Sequence, residues 1–239
     1  MSAPQFFVPR LAAGERVSLD PEDARHAVGS LRLRAGDVLR LADGDGSVAA
    51  AVLVDVARGK AVVEVGAVDR VDRPTPALSV ALAPPKGDRL SWVVQKLAEV
   101  GVDEAVMLET ERSVRRWNRD RAATAIDRLT GVAREAAMQS RRPFVMSVLG
   151  PASLAEAVGG ARVVVLWEHA TDGLAEALGG GAGDLRLVVG PEGGFSDGEV
   201  RQCAQRGAKT ASLGEGILRT ETAALAASVV ALHHLGRLG

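Results

Sequence analysis

The sequence contains few cysteines and few aromatic residues, and each shortage excludes a class of protein. A single cysteine, Cys203, rules out an internal disulfide framework. Aromatic residues make up 3% of the chain and tyrosine is absent, so extensive base stacking on aromatic platforms is not expected. No apolar run is long enough to span a bilayer, and residues 1–5 lack the pattern of a secretory leader. We therefore expect a cytoplasmic protein without a membrane segment.

Two further kinds of pattern are missing. The four histidines form no ligand-like spacing with the cysteine, so we expect no metal site. Neither glycine-rich phosphate-binding motif, G-x-x-x-x-G-K-[ST] or G-x-G-x-x-G, occurs in the chain. A nucleotide-like ligand, if one binds, is therefore expected to lack a polyphosphate.

Positive charge is concentrated in one segment, although the net charge of the chain is only −1. Nine arginines lie between Arg112 and Arg142, and only Asp120, Asp127 and Glu135 oppose them. Such an excess suits contact with a phosphate backbone. The alternative is a solvated helix face that binds nothing.

The first 72 residues read as a small β-rich domain. The turn signal at residues 43–46 separates two alternating apolar runs, 37–42 and 48–56, and residues 58–60 turn the chain into a third, 61–65. Short strands at this spacing suggest a barrel. Pro74 and Pro76 then disfavour both helix and central strand, and we place the boundary there, with domains at 1–72 and 73–239.

Strands and helices alternate in the second domain, which predicts an α/β fold with a parallel sheet. Continuous apolar runs at 163–167 and 185–189 are typical of strands buried on both faces. Residues 89–100 have helical periodicity and Gly101 follows as a C-cap. The spacing of Ser153 with Glu156, and of Ser196 with Glu199, predicts two capping boxes.

Two runs carry the strongest functional signal. Residues 187–196 read LVVGPEGGFS and residues 213–223 read LGEGILRTETA. Each predicts a strand, a glycine turn and a helix start, and two such turns in one α/β unit can line a pocket with backbone N–H and C=O groups. The alternative is a pair of tight turns with no ligand.

These runs resemble the ribosomal RNA small subunit methyltransferase E family within the SPOUT class. The segments 85–88 (PKGD), 92–101 (WVVQKLAEVG), 110–114 (TERSV) and 26–37 also fit, so the resemblance extends from about residue 6 to residue 235. It implies S-adenosylmethionine-dependent methylation of N3 of a uridine in the 16S rRNA of the small ribosomal subunit. It also implies a PUA-like RNA-binding barrel, a C-terminal trefoil knot and a homodimer whose active site draws on both subunits.

The resemblance assigns cofactor binding mainly to residues of the two loops. Gly190 and its neighbours would form one wall, and Leu213 with Gly214 the other. Glu168, at the end of a strand, could accept the cofactor ribose hydroxyls or be a surface carboxylate. The expected cofactor-binding residues are Trp167, Glu168, Val189, Gly190, Pro191, Glu192, Gly193, Leu213, Gly214, Ile217, Leu218, Arg219 and Thr220.

Three residues are candidates for catalysis. Arg112 could stabilise a uracil anion with its fixed charge, or only grip a phosphate. Glu192 and Glu221 are candidate general bases, although Glu221 could be no more than a favourable first-turn charge. Expected RNA contacts are Arg25, His26, Arg32, Arg34, Arg115, Arg116 and Arg142.

The chain departs from the family pattern at two positions. Met138 stands where the family carries a second glutamate, and Gly216 where it often carries arginine. Two rival functions stay open: a ribose 2′-O-methyltransferase of the same superfamily and, because of these departures, a non-catalytic RNA-binding assembly factor. The identity of the modified nucleoside would distinguish the ribose methyltransferase from the N3-methyltransferase. Measurable S-adenosylmethionine binding would distinguish an enzyme from an assembly factor.

Overall fold

The computed structural model describes residues 3–57, 59–113, 117, 119–160, 162–181 and 183–238. Two compact units divide the chain: Met1–Arg73 with Ala137–Val145, and Pro74–Ala136 with Met146–Gly239. A boundary near residue 72 was expected from local composition, and it stays a prediction. The grouping of Ala137–Val145 with the first unit depends on tertiary contacts, which local composition does not reveal.

The first unit is built on one β-sheet. Its strands are β1 (Gln5–Phe7), β2 (Arg16–Ser18), β3 (Val38–Ala42), β4 (Ser47–Ala57) and β5 (Lys60–Arg70). The sheet has the order β1-β3-β4-β5-β2, in which β1 and β3 are parallel and the other neighbours antiparallel. Alternate residues of β5 are buried because successive side chains of a strand point to opposite faces.

A short helix, α1 (Pro21–Arg25), follows β2 and continues into a π-helical turn, His26–Ser30. The Asp20 side chain caps α1 by accepting hydrogen bonds from the amides of Glu22 and Asp23. Neither element was predicted, because a five-residue helix is too short to show a helical period.

The second unit is a parallel sheet with helices between its strands. The strands are β6 (Leu78–Leu82), β7 (Glu104–Glu109), β8 (Ser147–Ser153), β9 (Arg162–Leu166), β10 (Leu185–Val189) and β11 (Lys209–Ala211). They pair in the order β11-β9-β10-β6-β7-β8, and each neighbouring pair is parallel. The helices are α2 (Arg89–Val100), α3 (Arg119–Gln139), α4 (Leu154–Ala157), α5 (Leu174–Leu178), α6 (Asp197–Gln205) and α7 (Thr220–His234), and the end of α3 from Ala137 onward belongs to the first unit.

Local signals fix the bounds of several elements. Helix α2 buries Leu90, Val93 and Leu97 at helical spacing and ends at Gly101, whose φ of 99° suits glycine. The predicted bounds of α2 and β10 are confirmed. Both predicted capping boxes are also present. The second, at Ser196, begins α6 directly after the loop that follows β10.

Candidate active site

A cavity of about 330 Å³ lies at the carboxyl ends of three neighbouring strands, β9, β10 and β11. This is where open α/β sheets place their ligands. Three segments line it: residues 166–169, loop 190–196 after β10 (the Gly190 loop) and loop 212–219 after β11 (the Gly214 loop). The two runs that were expected to share a pocket therefore do so.

Most of the expected cofactor residues contribute to this lining. Two of the expected residues, Gly193 and Arg219, do not line the cavity. Those that line it are Trp167, Glu168, Val189, Gly190, Pro191, Glu192, Leu213, Gly214, Ile217, Leu218 and Thr220. Lining residues that were not assigned to the cofactor are Leu166, His169, Gly194, Phe195, Ala211, Ser212, Glu215, Gly216 and Ala223.

The Gly190 loop is held by its aromatic residue and by helix α7. Phe195 is buried in the core, and a Cβ added at Gly190 would lie 3.0 Å from its ring. Only glycine therefore fits at this position without displacing the ring. On the other side, the Thr220 hydroxyl donates to the Gly190 carbonyl at 3.0 Å, which ties the start of α7 to the loop.

Glu168 lies against the same loop. A Cβ at Gly194, whose φ is 65°, would lie 2.7 Å from Glu168 Oε1. Trp167 and His169 pack edge to face, with ring centroids 5.4 Å apart. His169 thus joins the cavity wall, although a lone histidine after a strand gave no signal in the sequence. The arrangement presents one carboxylate and two rings to a ligand.

The Gly214 loop offers hydrogen-bond donors and apolar surface together. The Ser212 hydroxyl bridges the amide and carbonyl of Gly214, whose φ of 112° requires glycine. Among the described residues, the amides of Gly216, Ile217 and Leu218 donate to no protein acceptor. Ile217 is 89% exposed. Free amides beside an apolar side chain suit a planar, polar-edged ring such as a purine.

Arg112 braces the Gly190 loop and does not line the cavity. Its Nη1 donates to the carbonyls of Gly193 at 2.9 Å and Phe195 at 3.5 Å. Its other guanidinium N–H groups have no partner in the part of the chain that the structure describes. They remain available to an anion beside the loop, since a guanidinium carries five donors.

The two candidate bases have different surroundings. Glu192 is an exposed residue of the cavity wall, and its Oε1 accepts from the Lys86 amide at 3.0 Å. Glu221 is 7% exposed and does not line the cavity. Its Oε1 lies 3.3 Å from Arg89 Nη1, while its Oε2 has no hydrogen-bond partner among the described residues. The PKGD segment thus contacts the cavity wall through Lys86, while Arg89, the first residue of α2, pairs with the buried Glu221.

The expected RNA contacts fall into three groups. Arg25, His26, Arg32 and Arg34 are all exposed and follow one another along α1, the π-helical turn and the next loop. Arg142 belongs to the same unit, and its carbonyl accepts from Gln5 Nε2 at 2.8 Å. Arg115 and Arg116 lie outside the described residues. The roles of all seven stay predictions.

The structure accounts for the two departures from the family pattern. Met138 packs against the buried apolar residues of the first unit, so its side chain serves packing. Gly216 lines the cavity, and a Cβ added there would meet nothing within 4 Å. The position therefore accepts a side chain, and the glycine leaves this part of the cavity wall open.

The described residues provide neither a metal site nor a membrane-spanning helix. No group of three or more His, Cys, Asp or Glu side chains among them could hold a metal ion. In that part of the chain no helix is both long and apolar enough to cross a membrane.

Burial raises the pKa of the Cys203 thiol, and the nearby Glu199 charge adds to this effect, while Arg206 opposes it. Cys203 is therefore a poor nucleophile.

Comparison with known proteins identifies the family. An RNA methyltransferase domain matches residues 72–232, and an RNA methyltransferase PUA domain matches residues 19–66. The ribosomal RNA small subunit methyltransferase E of Mycobacterium bovis is 35% identical over 95% of this chain and 90% of its own length. The chain belongs to the ribosomal RNA small subunit methyltransferase E family.

Solved structures that are similar to this chain have the same fold. The Neisseria gonorrhoeae ribosomal RNA small subunit methyltransferase E bound to S-adenosyl methionine superposes with a TM-score of 0.84 at 29% identity, covering 98% of both chains. A putative methyltransferase from Legionella pneumophila in complex with the same cofactor gives a TM-score of 0.84 at 28% identity, again covering 98% of both chains. The expected α/β fold with a parallel sheet, SPOUT-like neighbours and a preceding PUA domain is confirmed.

Proposed function

We propose that the protein binds S-adenosylmethionine in the cavity between the Gly190 and Gly214 loops and methylates 16S rRNA. The observation that carries this proposal is the shared lining of one cavity by the two family loops. The residues fit the group: free amides and Ile217 suit the adenine ring, and Glu168 suits ribose hydroxyls. Relatives of the same fold are solved with this cofactor.

The target in this proposal is N3 of a uridine, which is the activity that the resemblance implies. Bound S-adenosylmethionine supplies an electrophilic methyl group on a sulfonium centre. Uracil N3 must lose its proton to attack that methyl group, and because N3 lies on the pairing edge the base must be unpaired. The enzyme therefore has to accept one proton and to stabilise a uracil anion.

We assign proton acceptance to Glu192 in preference to Glu221. Glu192 is exposed at the cavity wall, whereas Glu221 is buried behind it with Arg89. Arg112 stabilises the anion through the guanidinium N–H groups that the loop carbonyls leave unused. In this scheme Glu221 holds Arg89, at the start of α2, in place.

Nucleoside mass spectrometry tests the target. Small ribosomal subunits that lack the modification are incubated with the protein and methyl-labelled S-adenosylmethionine, and the 16S rRNA is digested. Labelled N3-methyluridine is the expected product, and Glu192→Gln is expected to lose it while still binding S-adenosylhomocysteine. A labelled 2′-O-methyl nucleoside would move the protein to the ribose methyltransferases. Cofactor binding without any product would favour an assembly factor.

The homodimer, the trefoil knot and the cytoplasmic location belong to the same proposal, because the family resemblance implies them. Trp92 on α2 and Val229 and Val230 on α7 leave apolar side chains more than a third exposed. These side chains are candidates for a subunit interface, whereas Leu232 of the same helix α7 is buried within its own unit. Light scattering after size exclusion measures the mass, and a monomer would remove this part of the proposal.

A further inference from the structure

The loop that carries Arg112 is tied to the cofactor loop by a buried carboxylate. Thr110 and Ser113 close a tight turn around Arg112, through a hydrogen bond from the Thr110 amide to Ser113 Oγ at 3.0 Å. Between them, the Glu111 amide donates to Glu199 Oε1 at 2.9 Å. Glu199 is 88 positions away in the sequence and belongs to α6, the helix that follows the Gly190 loop.

The same carboxylate also completes the capping box of α6. Glu199 Oε2 accepts from the Ser196 amide at 2.8 Å, and the Glu199 amide donates back to Ser196 Oγ at 3.2 Å. A capping box needs only one of the two carboxylate oxygens for the N-cap amide. Here the second oxygen reaches a different loop, so one side chain fixes both the end of the Gly190 loop and the start of the Arg112 turn.

The arrangement forms a closed ring of contacts. Arg112 donates to the carbonyls of Gly193 and Phe195, Phe195 precedes Ser196, and Ser196 returns through Glu199 to Glu111. Glu199 is 6% exposed, and a buried carboxylate is costly without specific donors. The N-terminus of α6 and two backbone amides supply them. Each carboxylate oxygen of Glu199 therefore accepts a backbone amide where the side chain links two loops.

We propose that Glu199 is a positioning residue that couples the placement of Arg112 to the cofactor loop. This inference rests on the proposed function, because it assigns Arg112 a task in methyl transfer. Glu199 lies outside the cavity lining and acts only through the two loops. Its replacement is expected to lower kcat, with cofactor affinity changed much less.

The chain supplies a matched control in the other capping box. Glu156 Oε2 accepts from both the amide and the hydroxyl of Ser153, at 2.7 Å each, and these contacts are local. The hydrogen bonds from the hydroxyl and then the amide of Ser153 lower the pKa of Glu156. Glu156→Gln therefore perturbs a helix start as Glu199→Gln does, without touching the Arg112 turn.

The first test is kinetic. Glu199→Gln keeps one acceptor oxygen but places an amide donor against either the Glu111 or the Ser196 N–H. We expect kcat to fall about tenfold, which corresponds to the loss of one hydrogen bond to a charged group. Glu156→Gln should leave kcat unchanged. In an Arg112→Ala background, Glu199→Gln should change kcat less than about twofold, because residues that act as a unit are not additive. Additive losses would overturn the proposal.

The second test does not depend on activity. Hydrogen exchange of peptides spanning residues 107–113 is compared in wild type, Glu199→Gln and Glu156→Gln, with thermal unfolding as a check of folding. Faster exchange at the Glu111 amide only in Glu199→Gln supports the coupling, and unchanged exchange refutes it. If wild type binds no S-adenosylhomocysteine and transfers no methyl group, the proposed function fails, and the exchange result still decides whether Glu199 holds this turn.

Discussion

The shape of the cavity wall depends on the absence of a side chain at Gly190. The buried Phe195 ring occupies the space that a side chain at position 190 would need, with ring atoms 3.0–3.3 Å from an added Cβ. The carbonyl of the same residue accepts the Thr220 hydroxyl. Backbone, ring and helix start therefore meet at one glycine, and a methyl group there requires the ring or the loop to shift by a few tenths of an ångström.

Replacing Gly190 with alanine is expected to weaken binding of S-adenosylhomocysteine about tenfold, or ~1.4 kcal/mol, as overpacking typically costs 1–3 kcal/mol. Calorimetric titration measures the dissociation constant. Gly131→Ala is the matched control, because Gly131 lies on helix α3, where an added Cβ meets nothing within 4 Å. Equal affinity in wild type and Gly190→Ala would show that the loop adapts or does not hold the cofactor.

The sequence predicted most of this site because glycine turns between buried strands and helix starts leave a strong local pattern. It did not predict the lining by His169, which has no periodic neighbours, or the reach of Glu199 to Glu111, which joins segments far apart in the chain. Arg112 was expected either to stabilise the uracil anion or only to grip a phosphate, which stays a prediction, and the structure shows that it supports the Gly190 loop. Such contacts arise only after the strands are placed side by side.

At the element scale, replacing glycine with alanine is expected to have opposite effects on the free energy of unfolding at two positions, Gly131 and Gly207. Gly131 is an exposed residue inside the 21-residue helix α3. Gly207 follows α6 with a φ of 85°, in open space. Glycine in a helix interior costs entropy that alanine does not, whereas a positive φ favours glycine.

Gly131→Ala should therefore raise the free energy of unfolding by about 0.5–1 kcal/mol, and Gly207→Ala should lower it by a similar amount. Chemical denaturation of each variant measures the change. Equal shifts of the same sign would mean that the two backbone conformations do not differ as described.

Element bounds were predictable where a period was long enough or a stop signal was clear. Helix α2 has three turns of apolar spacing and a glycine C-cap, and β10 is a continuous apolar run. The three-residue strands β1, β2 and β11 gave no comparable signal, because they exist through pairing with longer neighbours. The same holds for the sheet order, which depends on contacts between distant segments.

At the scale of the whole molecule, a buried ion pair anchors the end of the second unit. Arg237 pairs with Asp103, with side chains 9% and 13% exposed. It also donates to the carbonyls of Pro76 and Gly101, so that the segment after α7 is fixed against the start of the sheet. The Asp103 carboxylate in turn accepts the Leu78 amide.

Arg237→Met is expected to lower the free energy of unfolding by about 3 kcal/mol, because it leaves a buried charge without its partner. Arg16→Met removes the exposed pair with Glu64 and should cost less than about 1 kcal/mol. Urea denaturation compares the two. A loss as small for Arg237→Met as for Arg16→Met would contradict the anchoring role.

Cofactor binding should stabilise the folded chain as a whole. At a concentration of S-adenosylhomocysteine 100 times its dissociation constant, the gain is about 2.7 kcal/mol by linkage. Thermal unfolding with and without the ligand measures it as a rise in Tm. The Gly190→Ala variant should show a smaller rise at the same ligand concentration. A Tm that does not respond to the ligand in wild type would argue against a cofactor site in this cavity.

The most direct test of the account is methyl transfer from labelled S-adenosylmethionine to small ribosomal subunits that lack the modification. The account predicts that wild type incorporates label into 16S rRNA, approaching one methyl group per subunit. It also predicts that Arg112→Ala, measured at saturating cofactor, incorporates it far more slowly. Absence of both label and cofactor binding in wild type would contradict the central claim that this cavity serves RNA methylation.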